Sequence, residues 1–139
     1  MLCKELMKTT VRTTSINEPT CAVADIMREA NVGFMPVCDI TKGKIVGSVT
    51  DRDITVRLVA ERKPLDTPIE QIMTPAAVYC RPDDDIRRAQ ELMADYHVAR
   101  LLCVDDSGYL AGVLSLSDIA NRLPEQAVEA LREISEREV

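Results

Sequence analysis

The sequence contains no tryptophan, one phenylalanine and three tyrosines in 139 residues. A core built on aromatic rings is therefore excluded, and Val, Ile, Leu, Met and Ala must fill the interior. A single histidine, His97, is present. No Ser/His/Asp or Cys/His arrangement is legible around it, and it reads as a helix-end residue. No Gly-x-x-x-x-Gly-Lys-Ser/Thr phosphate loop occurs either, so catalysis is not expected. Basic runs are also missing. With 17 Lys and Arg against 23 Asp and Glu, the net charge is -6, which argues against nucleic-acid binding. No run of 18 apolar residues exists, so no membrane span is expected. The N-terminus MLCKELMKTT lacks the apolar segment of an export signal, and the expected location is the cytoplasm. The five cysteines form no CxxC pair. They read as free thiols, and no metal is expected.

What the chain does have is an internal repeat. Gly47–Asp53 reads GSVTDRD and Gly112–Asp118 reads GVLSLSD. Upstream, MREANVGFMPVCD from Met27 matches MADYHVARLLCVD from Met93. Leu6-Met7 pairs with Ile72-Met73, and Val11 with Val78. A repeat of this length sets the fold before any local pattern does. Three segments follow, at 1–62, 69–123 and 124–139, with the polar, Pro-containing ERKPLDTP between the first two.

Each repeat predicts the same elements. A short helical turn comes first, at Lys4–Met7 and Ile69–Met73. An extended piece follows near Val11 and near Val78. Helices are expected at about Thr20–Ala30 and Asp84–Asp95. The second carries Ile86, Ala89, Leu92 and Met93 on one face. Strand pairs Phe34–Cys38 with Ile45–Val49, and Arg100–Val104 with Leu110–Leu114, are joined by Gly-containing turns. A last helix runs from Asp51 to about Val59 and from Ser115 to near Leu123. Pro124 then opens a C-terminal amphipathic helix with Ala127, Leu131 and Ile134 on one face. The fold class is α/β (α+β): two βαββα units packed sheet to sheet, plus that helix.

The pattern Gly-x-x-Ser/Thr-x-x-Asp can do two jobs. A hydroxyl at a helix N-cap with an acid three residues on is close to a capping box, which stabilises a helix by about 1 kcal/mol without any ligand. A carboxylate can also accept hydrogen bonds from both hydroxyls of a ribose, through charge-assisted bonds. Duplication does not decide between them, because a duplicated helix duplicates its cap.

These residues, and the repeat that holds them, resemble a tandem pair of CBS domains, a Bateman module, over about Met1–Leu123. The tail SDIANRLPEQAVEALREI is similar to that of small stand-alone bacterial CBS-pair proteins. The resemblance implies a pseudo-two-fold module whose clefts, between the two repeats, bind an adenosyl compound: AMP, ADP, ATP, S-adenosylmethionine or a dinucleotide of the NAD type. It places Thr50 with Asp53, and Ser115 with Asp118, at the adenosyl-binding positions. Gly47 and Gly112 would let backbone pass close to the ligand. Met35, Pro36, Leu101 and Leu102 are the candidates for the base, with core packing as their other role. Many relatives have Pro where this chain has Leu102. Arg52 and Arg100 are candidates for phosphate. Arg57 and Arg122 follow their carboxylates by four residues and also fit plain ion pairs. The resemblance further implies a homodimer acting on an unknown protein effector. Two other functions stay open. One is a ligand-free dimerisation module working through a protein partner; the other is a thiol or metal sensor.

Overall fold

The computed structural model of the protein describes residues 1–75, 78–123, 125, 128–129, 131–132 and 134. In chain order the elements are α1 (Cys3–Leu6), β1 (Thr14–Ser15), α2 (Thr20–Ala30), β2 (Phe34–Cys38), β3 (Ile45–Thr50) and α3 (Asp51–Ile54). A π-helical stretch, Thr55–Val59, continues α3, and a 3-10 turn spans Ile69–Gln71. Then come β4 (Thr74–Pro75), β5 (Tyr79–Cys80), α4 (Ile86–Tyr96), β6 (Arg100–Val104), β7 (Leu110–Ser115) and α5 (Leu116–Arg122). The fold is mixed α/β, with one four-stranded sheet, β1-β2-β3-β4, and one three-stranded sheet, β5-β6-β7.

The chain forms two compact units, Arg12–Ala77 and Met1–Val11 with Val78–Val139. For brevity these are the Thr50 unit and the Ser115 unit. The N-terminal segment thus belongs with the second half of the sequence. Lys8 and Val113 exchange two backbone hydrogen bonds of 2.9 Å, extending the edge of β7. In the Thr50 unit β4 takes the same position, pairing Gly47 with Pro75 and Ser48 with Thr74. The sequence reading contains neither edge contact. Two-residue pairings carry no periodicity, and their partners lie far along the chain.

The helices form where apolar spacing and caps agree. α2 buries Thr20, Val23 and Met27, and α4 buries Ile86, Ala89, Leu92 and Met93. Asp85 caps α4 by accepting from the Arg87 N–H. Both helices end on a residue in the left-handed region, Asn31 and His97, each at φ 54°. This is the usual helix stop without glycine for Asn. Buried Thr20 stands where the second repeat has Ile86. Its hydroxyl donates to the Thr67 carbonyl at 2.6 Å, so burial leaves no unmet donor. The same carbonyl accepts the Thr20 N–H, and the Cys21 N–H donates to Leu65. These bonds tie the linker to α2.

Each hairpin turn is organised by an acid. Asp39 accepts the Thr41 N–H, and Asp105 accepts the Ser107 and Tyr109 N–H groups. Gly43 and Gly108 sit at φ 68° and 89°, where a side chain would be strained. Two separate cores result. One gathers Val23, Met35, Val37, Val49, Leu58 and Ile72. The other gathers Cys80, Ile86, Met93, Leu101, Leu114 and Ile119.

Three expectations are corrected. The extended piece near Val11 lies at Thr14–Ser15 instead, pairing parallel with Val37–Cys38. Lys8 is already hydrogen-bonded to β7, so the pairing with β2 begins farther along. The helix after Thr50 is α-helical only to Ile54 and then widens, with the Ala60 N–H bonding to Thr55. The second amphipathic helix starts at Ile86, two residues late, because Asp85 is its cap. Pro124 and Ala127, assigned above to the C-terminal helix, lie outside the described residues. Glu125, Val128, Glu129, Leu131, Arg132 and Ile134 are helical.

Candidate functional site

β2 and β3 place Thr50 opposite Phe34 at the start of α3, and β6 and β7 place Ser115 opposite Arg100 at the start of α5. Strand geometry then sets the carboxylates. Thr50 Oγ1 accepts the Asp53 N–H at 3.0 Å, and Asp53 Oδ2 accepts the Thr50 N–H at 3.0 Å. In the second copy, Ser115 Oγ accepts the Asp118 N–H at 3.1 Å and Asp118 Oδ2 accepts the Ser115 N–H at 2.9 Å. Both copies are complete capping boxes.

Capping occupies one oxygen of each carboxylate, and the other faces a donor from the edge segment. Asp53 receives the Thr74 hydroxyl, at 3.2 Å to Oδ1 and 3.4 Å to Oδ2. Asp118 Oδ1 lies 3.7 Å from Lys8 Nζ. Lys8 and Thr74 are corresponding residues of the two repeats, and each reaches the carboxylate through the sheet-edge contact described above. Both carboxylate side chains are 12% exposed, whereas Lys8 is 71% exposed. Each carboxylate is therefore mostly withdrawn from water and meets an exposed donor. Sequence reasoning missed both donors, although the repeat register pairing Leu6-Met7 with Ile72-Met73 already aligned them.

The arginines divide. Arg57 Nη1 donates to the Met73 carbonyl at 2.7 Å and lies 3.9 Å from Asp53. It holds the 3-10 turn and β4 against the helix as well as pairing with the acid. Among the described residues there is no Asp118–Arg122 pair; Lys8 takes that place. Arg52 and Arg100 are exposed.

Two further expectations change. The space over each glycine is taken by the protein's own backbone. A Cβ on Gly47 would collide with the Thr74 carbonyl, and one on Gly112 would lie 2.7 Å from the Lys8 carbonyl. The glycines admit the edge segments. Met35 and Leu101 are core residues at 0% and 2% exposure, so neither presents a surface to a base. Pro36 and Leu102 lie on the opposite faces of their strands and are buried too. Their difference has a structural correlate. The parallel ladder of β5 includes Leu102, whereas that of β1 begins at Val37, just past Pro36. Proline has no N–H for a ladder.

Two other features complete the picture, one in each unit. Thr14 Oγ1, on β1, is buried without a hydrogen-bond partner. In the Ser115 unit a cavity of about 380 Å³ is lined by Ala99, Arg100, Ser115, Leu116, Ser117, Ala120, Val128 and Leu131.

The thiols are elsewhere. Cys3, Cys80 and Cys103 are buried in one core, with 3.0 Å between the Cys80 and Cys103 sulfurs. Hydrogen bonding to Cys103, with burial, pushes the Cys80 thiol up to about 12, although a hydrogen bond from Cys3 acts the other way. Cys3 is also raised, first by its hydrogen bond with Cys80 and then by burial. Among the described residues, no group of three or more His, Cys, Asp or Glu side chains is placed to hold a metal ion. No helix among them is long and apolar enough to cross a membrane.

The CBS domain family matches residues 3–60 and 69–125. The chain belongs to the CBS domain family. Its two matched repeats and the two compact units are offset: each unit takes its sheet edge from the segment that opens the other repeat. Family membership makes this a CBS-pair regulatory module, and no enzymatic family is indicated. The CBS domain-containing protein YhcV of Bacillus subtilis is 35% identical over 138 residues, covering 98% of this chain and 96% of that protein. Among solved structures, the CBS-domain pair of protein MJ0100, in complex with 5′-methylthioadenosine and S-adenosyl-L-methionine, is 25% identical. Its TM-score is 0.78, and the match covers 91% of this CBS pair and 98% of that chain. Hypoxic response protein I, with two coordinated zinc ions, is 25% identical with a TM-score of 0.80, covering 89% of this chain and 100% of that one.

Proposed function

We propose that this CBS pair is a sensor that binds an adenosyl compound at Thr50/Asp53 and at Ser115/Asp118, and passes its occupancy to a protein effector. The observation that carries this reading is the shared geometry of the two carboxylates. Each is capped on one oxygen, largely buried, and faced on the other by a donor from the edge segment. A helix cap needs no such second donor. A ribose would replace the Thr74 hydroxyl or the Lys8 ammonium with its own hydroxyls, keeping the cap intact. Arg52 and Arg100 are the exposed cations that a phosphate would meet. The adenosyl ligands of the MJ0100 pair support the ligand class. Gly47 and Gly112 serve by seating the edge segments. The module works as a homodimer. Val56 and Val59, 48% and 60% exposed on the π-helical stretch, are apolar side chains suited to such a contact.

The test is calorimetric titration with AMP, ATP, 5′-methylthioadenosine, S-adenosylmethionine and NAD, beside thermal shift. Saturation at 100 times the dissociation constant raises stability by about 2.7 kcal/mol. Absence of heat and of any shift with all five at millimolar concentration removes the sensor reading. The second reading, a ligand-free dimerisation module acting through a protein partner, is favoured by the complete capping boxes, and it would then stand.

A further inference from the structure

The cavity in the Ser115 unit joins two groups that the repeat pattern keeps apart. Arg100, Ser115, Leu116 and Ala120 come from the second CBS repeat; Val128 and Leu131 come from the helix that follows it. Val128 and Leu131 are large apolar side chains, yet they are 56% and 52% exposed. They line the cavity without being covered by it. The helix is held to its own unit by a second contact, the Gln90 side-chain amide donating to Glu129 at 3.1 Å. Among the described residues, no such helix follows the last helix of the Thr50 unit. After Val59 its chain enters the linker, whose Leu65 and Thr67 carbonyls are bound to α2.

We infer that the C-terminal helix walls a cavity that adjoins the Ser115/Asp118 pair through Ser115, Asp118 itself not lining it, and that Val128 and Leu131 pack there on the base of the adenosyl compound. This deepens the sensor reading and rests on it. The chemistry of the lining is divided in the way such a ligand is divided. Apolar Leu116, Ala120, Val128 and Leu131 offer a surface for a flat base, while Ser115 and Arg100 offer a hydroxyl and a cation. A cavity of about 380 Å³ falls within the range of small-ligand sites, roughly 300–1,000 Å³. The two sites of the chain are therefore unequal. Occupancy of the Ser115 site alters the environment of the C-terminal helix.

The experiment uses the full chain with labelled Leu and Val methyl groups, titrated in turn with AMP, 5′-methylthioadenosine and S-adenosylmethionine. The expected result is movement of the Leu116, Val128 and Leu131 methyl signals together. Leu131→Ser and, separately, Val128→Ser should each weaken that site on the order of tenfold. Both positions are half-exposed, so an unchanged methyl signal of Leu114, in the core of the same unit, verifies the fold of each variant. If Leu116 responds but both serine variants bind as tightly as the parent, the helix wall is refuted and the sensor reading survives. If no ligand moves any methyl signal in either unit, the wall and the sensor reading fail together.

Discussion

Replacing Asp53 separates its two roles, because Ala and Asn remove different things. In Asp53→Ala the Thr50 N–H loses its acceptor at 3.0 Å, and the Thr74 hydroxyl loses both contacts. The Thr50 hydroxyl still accepts the backbone N–H of residue 53, so only the reciprocal half of the capping box is lost. The half-exposed Arg57, at 3.9 Å, adds no more than about 0.5 kcal/mol once solvent screening is counted. The partly buried N–H left without a partner adds about 0.5–1 kcal/mol. The total is about 1–1.5 kcal/mol, which lowers the melting temperature of a chain this size by roughly 3–5 °C. In Asp53→Asn the amide oxygen still accepts from Thr50. Only the charge and one acceptor are lost, so the cost is about 0.5 kcal/mol, or roughly 2 °C. Adenosyl affinity behaves differently. Both variants lose a charge-assisted bond to the ribose, worth about 1.5–3 kcal/mol, so both weaken the Thr50 site roughly 10- to 100-fold. Thermal melts and calorimetry on the same preparations read the two effects. An Ala variant as stable as the parent would refute the capping argument. An Asn variant that binds as the parent does would refute the ribose assignment.

Other predictions concern packing and thiols. Gly112→Ala drives a Cβ toward the Lys8 carbonyl and the Met7 side chain, at 2.7 and 2.9 Å. It should cost about 1–3 kcal/mol in urea unfolding, and an unchanged midpoint would mean that the N-terminal segment does not dock there. Leu58→Ala, at a position 2% exposed, should cost about 2–5 kcal/mol; an unchanged urea midpoint would contradict the side of the π-helical stretch assigned to the core. Under native conditions iodoacetamide should label exposed Cys21 first, and Cys3, Cys80 and Cys103 only after unfolding. Because Cys80 ionises near 12 in the fold against an ordinary 9.0, the unfolded chain releases its proton first as pH rises. Its stabilising contribution is present below pH 9 and is lost between about 9 and 12. The fall in urea midpoint over that range should shrink in Cys80→Ala.

The elements readable in the sequence are those whose signals are local. Phe34–Cys38 and Arg100–Val104 were bounded by apolar run and turn, and Thr20–Ala30 by helical spacing up to Asn31. The hydroxyl/carboxylate pairs were legible for the same reason: residues three apart at a helix start meet whatever the rest of the chain does. The roles of Met35 and Leu101 were not legible, because an apolar strand residue looks the same whether it faces a core or a ligand. Nor was the reason for the two glycines, since the Thr74 and Lys8 carbonyls that require them are 27 and 104 residues away along the chain.

By itself, then, the sequence determined the two-fold repeat, the order of helices and strands, and the capping pair that opens the last helix of each repeat. These depend on spacing within a few residues. Only the tertiary structure decided that each sheet is completed from the other repeat's opening segment, and hence that Thr74 faces Asp53 while Lys8 faces Asp118. Sheet-edge pairing joins short, distant segments through backbone hydrogen bonds, which are the same for every residue type but proline and so leave almost no mark in the sequence.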